Sequence, residues 1–338
     1  MLSKKLLGSK SAAPYSGDIA VAHVNSPYIS VYPWSSGFGT KYSDPATLPG
    51  TGGRAVAWSP NGDDIAVSHT GSPYISVYEW SSGFGTKYAD PATLPPNTAL
   101  GCAFSPNGND IAVAHLDSPY ISVYPWSSGF GTKYSDPATL PAGAGQTVAF
   151  SPDGADIAVA HVGTPYVTAY PWSSGFGAKY SDPASLPTGT ARGVAFSPDG
   201  SDIAVSGDVS PHIFVYPWSS GFGAKYSDPG TAVSSDGNSV RFSNNSNYIA
   251  IATDSSPRIY VYPWASGFGS QLSNPATLPT GGGNGVAFTP NDADIAVAHA
   301  VSPYISVYPW SSSGFGTKYA NPSTLPTGTG VGVAFSPA

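Results

Sequence analysis

A tryptophan returns at one fixed spacing through almost the whole chain. Successive members of the series lie 46 residues apart: Trp34, Trp80, Trp126, Trp172, Trp218, Trp264 and Trp310. The segment Asp-Ile-Ala-Val recurs in the same register, from Asp18 to Asp294. A fixed period of this length indicates a repeat architecture, in which each repeat forms one supersecondary unit. The 338 residues therefore contain seven repeats.

Each repeat contains four short runs with the pattern of β-strands. Three of them, of the type GVAFS, DIAVAH and YISVYPW, are apolar, with small and large residues alternating in the first two. The fourth, KYSDPATLP, is polar and contains proline, as expected of an outer edge strand. Turn sequences such as SPDG and SSGFG separate the runs, and no segment has a sustained helical period. The sequence predicts an all-β protein, a seven-bladed β-propeller with four antiparallel strands per blade.

The order of the runs predicts how the ring closes. The first complete run of the chain is a second strand, beginning at Asp18, and the last is a first strand, Val331 to Pro337. One blade should therefore combine strands from both termini. We expect residues 18–338 to form this single propeller and residues 1–17 to be a flexible arm that carries Lys4, Lys5 and Lys10.

Composition excludes several classes of function. Charged residues make up only 10% of the chain, and the net charge is −7 with a pI near 5.1, whereas nucleic-acid binding needs a basic face. The sequence contains neither a signal peptide nor an apolar run long enough to span a membrane, which predicts synthesis in the cytoplasm. The single cysteine, Cys102, stands where other repeats have valine and is expected to be a small core residue.

One stretch carries a family resemblance. The sequence VAFSPDGSDIAVSG…HIFVYPW, from Val194 to Trp218, resembles the WD-repeat propellers in its SPDG turn and terminal tryptophan. The repeats lack the Gly-His pair that opens the family's repeat and the Asp that follows its tryptophan. The phrases DPATLP and SPYISVY resemble a group of uncharacterised bacterial and phage-borne propeller proteins. That second resemblance implies a place in a virion.

The polar residues do not form the pattern of an active site. Nearly all of them recur in every repeat, whereas a catalytic site needs a unique constellation of differing residues. Five histidines share one repeat position and are interpreted as hydrogen-bonded structural residues: His23, His69, His115, His161 and His299. Glu79, the only glutamate, replaces a proline of the repeat. The sequence therefore predicts neither a cofactor nor a metal site, and it predicts that the protein is not an enzyme.

The differences between repeats point to one face of the ring. In this topology the loops between the second and third strands (b–c loops) share a face with the loops between blades (d–a loops), and these loops vary most. Rigid scaffolds carry function on such loops. The candidate binding residues are Asn25, Arg54, Leu116, Asp117, Gln146, Arg192, His212, Asn238, Arg258 and Asn284.

Three functions follow from these observations. The first is a non-catalytic structural or interaction module of a phage particle, surface- or tail-associated, with a protein partner such as a symmetric viral assembly. The second is a lectin-like propeller that binds a surface glycan on repeated tyrosines: Tyr28, Tyr74, Tyr120, Tyr166 and Tyr304. The third is a lactonase-like propeller enzyme.

Overall fold

The structure, a computed structural model, describes residues 15–338 and contains 23 strands in seven separate sheets. In chain order the strands are β1 (Gly17–His23), β2 (Ile29–Trp34), β3 (Gly53–Trp58), β4 (Asp64–His69), β5 (Ile75–Trp80), β6 (Phe84–Lys87), β7 (Ala99–Phe104), β8 (Asp110–His115), β9 (Ile121–Pro125), β10 (Gly145–Phe150), β11 (Asp156–His161), β12 (Val167–Pro171), β13 (Ala191–Phe196), β14 (Asp202–Gly207), β15 (Ile213–Pro217), β16 (Gly237–Phe242), β17 (Tyr248–Thr253), β18 (Ile259–Pro263), β19 (Gly283–Phe288), β20 (Asp294–His299), β21 (Ile305–Ser311), β22 (Gly314–Phe315) and β23 (Gly330–Phe335). Each sheet is one antiparallel blade, such as β10-β11-β12. The predicted seven-bladed β-propeller is confirmed.

The alternation of large and small residues packs the blades against one another. In β11, Ile157 and Val159 lie in one apolar cluster with the alanines of the preceding blade. On the opposite face, Ala158 and Ala160 share a cluster with Ile203 and Val205 of the next blade. Each blade therefore presents a large face to a small one. This arrangement repeats around the ring because the sequence pattern repeats.

The fourth strand is less regular than predicted. It is a strand only in the blades with β6 and β22. Elsewhere the segment is held by a bridge such as Trp126↔Phe130 and by single bonds such as Tyr134 N–H to Val123 O, 2.9 Å. Proline near the end of the third strand, such as Pro125, has no N–H to donate, which interrupts the ladder. In the blade with β6 this proline is replaced by Glu79, and the strand forms. The blade with β22 keeps Pro309, and its two-residue fourth strand pairs only with Trp310 and Ser311, beyond the proline.

Strands from both ends of the described chain complete one blade. β1 pairs with β2 on one side and with β23 on the other, with Ile19 opposite Phe335 and Val21 opposite Val333. The innermost strands follow one another in contact around the axis, in the order β3, β7, β10, β13, β16, β19, β23 and again β3. Of the predicted arm of residues 1–17, residues 1–14 lie outside the described part, Tyr15 is buried and Gly17 begins β1.

Candidate functional site

The innermost strands enclose a cavity of about 270 Å³ on the axis of the ring. Its walls are the first residues of these strands, so it lies towards the face that carries the variable d–a and b–c loops. One repeat position contributes a side chain from every blade: Arg54, Leu100, Gln146, Arg192, Asn238, Asn284 and Val331. Five of the ten predicted binding residues are in this set. The repeat position that varies most in chemistry is therefore the one that lines the axis.

Three of the four arginines of this acidic chain line the cavity: Arg54, Arg192 and Arg241. The Nε atoms of Arg54 and Arg192 are buried and have no hydrogen-bond partner among the described residues. Arg192 donates from Nη2 to Asp236 Oδ2 at 2.9 Å, the one arginine–carboxylate ion pair found within residues 15–338. Guanidinium groups with free donors are suited to carboxylate and phosphate oxygens. The cavity is therefore a cationic site.

Carboxamides hold the wall of the cavity in place. Asn238 donates from Nδ2 to Asp254 Oδ1 at 2.6 Å and to the backbone oxygen of Gly283 at 2.9 Å. Asn284 donates from Nδ2 to Gly330 O at 2.8 Å. Both asparagines thus connect the start of their own innermost strand to the start of the next. They fix the spacing of the side chains around the axis.

Two further wall residues were not among the sequence candidates. Cys102 packs against a core cluster, as expected, and also lines the cavity, and burial raises the pKa of its thiol to about 12. It stays protonated at neutral pH and is a poor nucleophile. Arg241 was detectable in the sequence, because the Val-Arg-Phe at 240–242 replaces a Val-Ala-Phe pattern of the repeat. It lies inside a strand, whereas the candidate binding residues were predicted from variation in the loops and at strand ends.

The other five predicted residues lie outside the cavity, and three of them connect loops. Asn25 donates to Thr327 O at 3.1 Å, Asp117 accepts from Asn97 at 2.9 Å, and Arg258 donates to Pro279 O at 2.8 Å. In each case a b–c loop is joined to a d–a loop. His212 contacts Gly207 O at 3.3 Å, and Leu116 is exposed. Their binding role stays a prediction.

The repeated histidines and tyrosines are not part of the cavity wall. The histidines are fully buried at the ends of their strands, and the tyrosines of the b–c turns are partly buried. Within residues 15–338, no three histidine, cysteine or acidic side chains are grouped closely enough to hold a metal ion. The carboxylates nearest the wall are Asp236 and Asp254, each one hydrogen bond behind it. The available chemistry is anion binding, with a carboxylate beside an arginine.

Solved structures with the same fold are found across nearly the whole chain. A periplasmic gluconolactonase of Pseudomonas aeruginosa has a TM-score of 0.71 at 14% identity, covering 95% of this chain and 99% of its own. Proposed 6-phosphogluconolactonases of Bacteroides fragilis and Bacteroides uniformis have TM-scores of 0.74 and 0.69 at 14% and 16% identity. They cover 97% and 95% of this chain, and 99% of their own in both cases. No protein-family model matches the sequence, and no curated protein matches it either.

These comparisons correct the functional prediction from the sequence. The expectation of a non-catalytic structural module of a phage particle is wrong, because the similar structures carry the names of lactonases, which are enzymes. The same finding corrects the prediction that the protein is not an enzyme. The resemblance to WD-repeat and phage-borne propellers is not supported beyond the propeller fold itself. The predicted protein partner and surface glycan stay predictions.

A search of the described residues for a helix that could cross a bilayer finds none.

Proposed function

We propose that the protein is a hydrolase of small sugar lactones, with the axial cavity as its active site. The observation that carries the proposal is the combination, at one cavity, of Arg54, whose Nε has no partner, with Arg192, which holds the carboxylate of Asp236 behind the wall. Similar structures with the same fold are named as gluconolactonases, which supports the reaction class. A cavity of about 270 Å³ suits a small metabolite, since pockets for larger ligands span roughly 300–1,000 Å³.

Lactone hydrolysis needs three groups in defined positions. Water attacks the carbonyl carbon, the ring C–O bond breaks, and the ring oxygen takes a proton, which gives a hydroxy acid. Arg54 has free N–H groups to stabilise the negative charge that develops on the carbonyl oxygen. Asp236, held by Arg192, accepts the proton from the water and returns it to the leaving oxygen. The product carries a new carboxylate, which the cationic wall accommodates.

The proposal is tested by measuring acid release from glucono-δ-lactone, with spontaneous hydrolysis subtracted. The wild-type protein should accelerate the reaction. Asp236→Asn keeps the shape of the side chain but removes the base, and it should lower kcat by roughly 10²–10⁴-fold. The matched control is Asp228→Asn, in an exposed carboxylate paired with Lys225, which should leave kcat unchanged. A wild-type protein that does not exceed the solvent rate, or equal loss in both variants, would contradict the proposal.

A further inference from the structure

Arg241 is a single exception in a repeated position of the innermost strands. The other six blades have alanine there: Ala57, Ala103, Ala149, Ala195, Ala287 and Ala334. Since six blades use alanine, the fold does not need an arginine at this position. A large cation has replaced the smallest apolar side chain in one blade only. Such a departure from the local pattern, at a cost in stability, is expected at functional positions.

Arg241 is attached to its strand further from the variable loops than Arg54, Arg192 and the carboxamides are to theirs. It is three residues further along β16 than Asn238, which is about 10 Å at roughly 3.3 Å per residue. Its side chain lines the cavity and is accessible to water there. Partial desolvation by the surrounding blades lowers its pKa. Arg241 is therefore a cation inside the lumen of the ring.

No counter-charge accompanies this cation in the described part of the chain. Its one hydrogen bond runs from Nη1 to the backbone oxygen of Val240, 2.9 Å. The arginine–carboxylate pair of the cavity involves Arg192, not Arg241. Because this guanidinium has no carboxylate partner, its remaining donors are free to pair with an anion that enters the cavity. A guanidinium has five donors in a plane, which suit two oxygens of a carboxylate or phosphate.

We propose that Arg241 forms an oxyanion site within the channel, below the ring of Arg54 and Arg192. Its ligand is a carboxylate or phosphate group, either of a free anion or at the charged end of a substrate held at the ring. The free-anion form does not depend on lactone hydrolysis, whereas the substrate form rests on the proposed function. The two sources are distinguished by binding and by kinetics.

The first experiment measures binding of inorganic phosphate by calorimetry at constant ionic strength. The wild-type protein should bind it, and Arg241→Ala, which restores the residue of the other six blades, should weaken binding by at least about tenfold. Arg241→Lys keeps the charge but not the planar fork and should be intermediate. Lys225→Ala removes one positive charge from a lysine paired with Asp228 and should bind as the wild type does.

The second experiment compares KM for the phosphorylated and unphosphorylated forms of one sugar lactone. If the substrate supplies the oxyanion, Arg241→Ala should raise KM for the phosphorylated form at least about tenfold and leave kcat nearly unchanged, because the interaction is lost equally in ground and transition states. Phosphate binding that depends on Arg241 in a protein without lactonase activity would support the anion site and refute the proposed function. Equal phosphate binding by wild type and Arg241→Ala, or no phosphate binding together with no effect on either lactone, would overturn the anion site.

Discussion

At the scale of single residues, a buried aspartate joins neighbouring blades. Asp110 accepts the hydroxyl of Tyr134 from its own blade on Oδ1 at 2.9 Å. Its Oδ2 accepts a hydrogen bond from Nε1 of Trp172, in the next blade along the chain, at 3.0 Å. The same three-residue contact recurs in six blades, with aspartates at Asp18, Asp64, Asp110, Asp156, Asp202 and Asp294. The repeated tryptophan is thus both packed and hydrogen-bonded.

The one blade without this aspartate has changed its partner as well. Tyr248 stands in place of the aspartate, and Leu272 replaces the tyrosine. Tyr248 packs edge-on against Trp310 with ring centroids 5.2 Å apart, and Leu272 packs in the same cluster. A polar contact has been exchanged for an apolar one. The two substitutions that make this repeat divergent therefore compensate each other.

Removing the aspartate alone should destabilise the protein. Asp110→Ala leaves the buried N–H of Trp172 and the hydroxyl of Tyr134 without their acceptor, at a cost of about 2–4 kcal/mol in the free energy of unfolding. The control Asp136→Ala removes an exposed carboxylate paired with Lys133 and should cost less than about 1 kcal/mol. Urea unfolding measures the stability of both variants.

The compensation at Tyr248 and Leu272 can be copied into the blade of Asp110. The loss of stability in Asp110→Tyr should be partly restored by adding Tyr134→Leu, and an absence of this rescue would refute the compensation.

At the scale of the strand pair, histidine connects the second strand of a blade to the third. His115 is fully buried, and its Nε2 lies 3.0 Å from Ser122 Oγ, while its Nδ1 lies 2.8 Å from Asp117 O. In the five blades with this histidine, a serine or threonine of the third strand contacts it. The two blades without it have a large aromatic residue at the serine position, Phe214 in the blade with Gly207 and Tyr260 in the blade with Thr253. The side-chain volume lost at the histidine position is therefore restored at the serine position of the same blade.

These histidines predict loss of stability in mild acid. Burial lowers the pKa of each to about 4, from an ordinary value near 6.5. Below about pH 6.5 the unfolded chain binds protons that the folded protein does not, so unfolding becomes easier down to about pH 4. Each histidine contributes on the order of 1–3 kcal/mol.

The measurement is the free energy of unfolding between pH 7 and pH 4. The double variant His115→Gly with Ser122→Phe copies the pair at Gly207 and Phe214 and removes one titrating group. Its stability should fall less steeply with decreasing pH than that of the wild type. Identical slopes would show that carboxylates alone account for the acid dependence.

At the scale of the whole molecule, the ring is closed without a covalent link. The hydroxyl of Tyr15 donates to Ser336 O at 2.7 Å and lies 2.8 Å from Ser336 Oγ, and its ring packs on Phe335. In an uninterrupted blade, Asp153 accepts the equivalent serine hydroxyl of Ser151. The two ends of the described chain therefore rebuild the turn that joins the first and second strands elsewhere.

Deleting residues 330–338 removes β23 and should open the ring. The loss exposes the inner edge of β1 and removes the buried Val333 and Phe335, each worth about 1.5–3 kcal/mol, along with a row of backbone hydrogen bonds. The Tm should fall by about 10 °C or more. Thermal unfolding followed by circular dichroism measures it, with deletion of Ala338 alone as the control. An unchanged Tm would contradict closure by β23.

The fold follows from the repeat alone, because seven blades in a closed ring bury the apolar faces of every repeat. The period fixed the number of blades, the alternation in segments such as Ile157–Ala160 fixed how they pack, and the strand order fixed the closing pair. The sequence also identified Arg54, Gln146, Arg192, Asn238 and Asn284 as variable positions of one face. These inferences succeed because they depend on local pattern and on symmetry.

Which of these residues contact one another depends on the folded ring. Arg54 and Arg241 are 187 residues apart and share a cavity because the innermost strands surround one axis. The Asp236 carboxylate joins Arg192 of the neighbouring blade, and the contact of Asp110 with Trp172 spans 62 residues. Local periodicity contains no information about such distances. The closure of the ring sets these distances. It brings the differing side chains of seven similar repeats to one cavity on the axis.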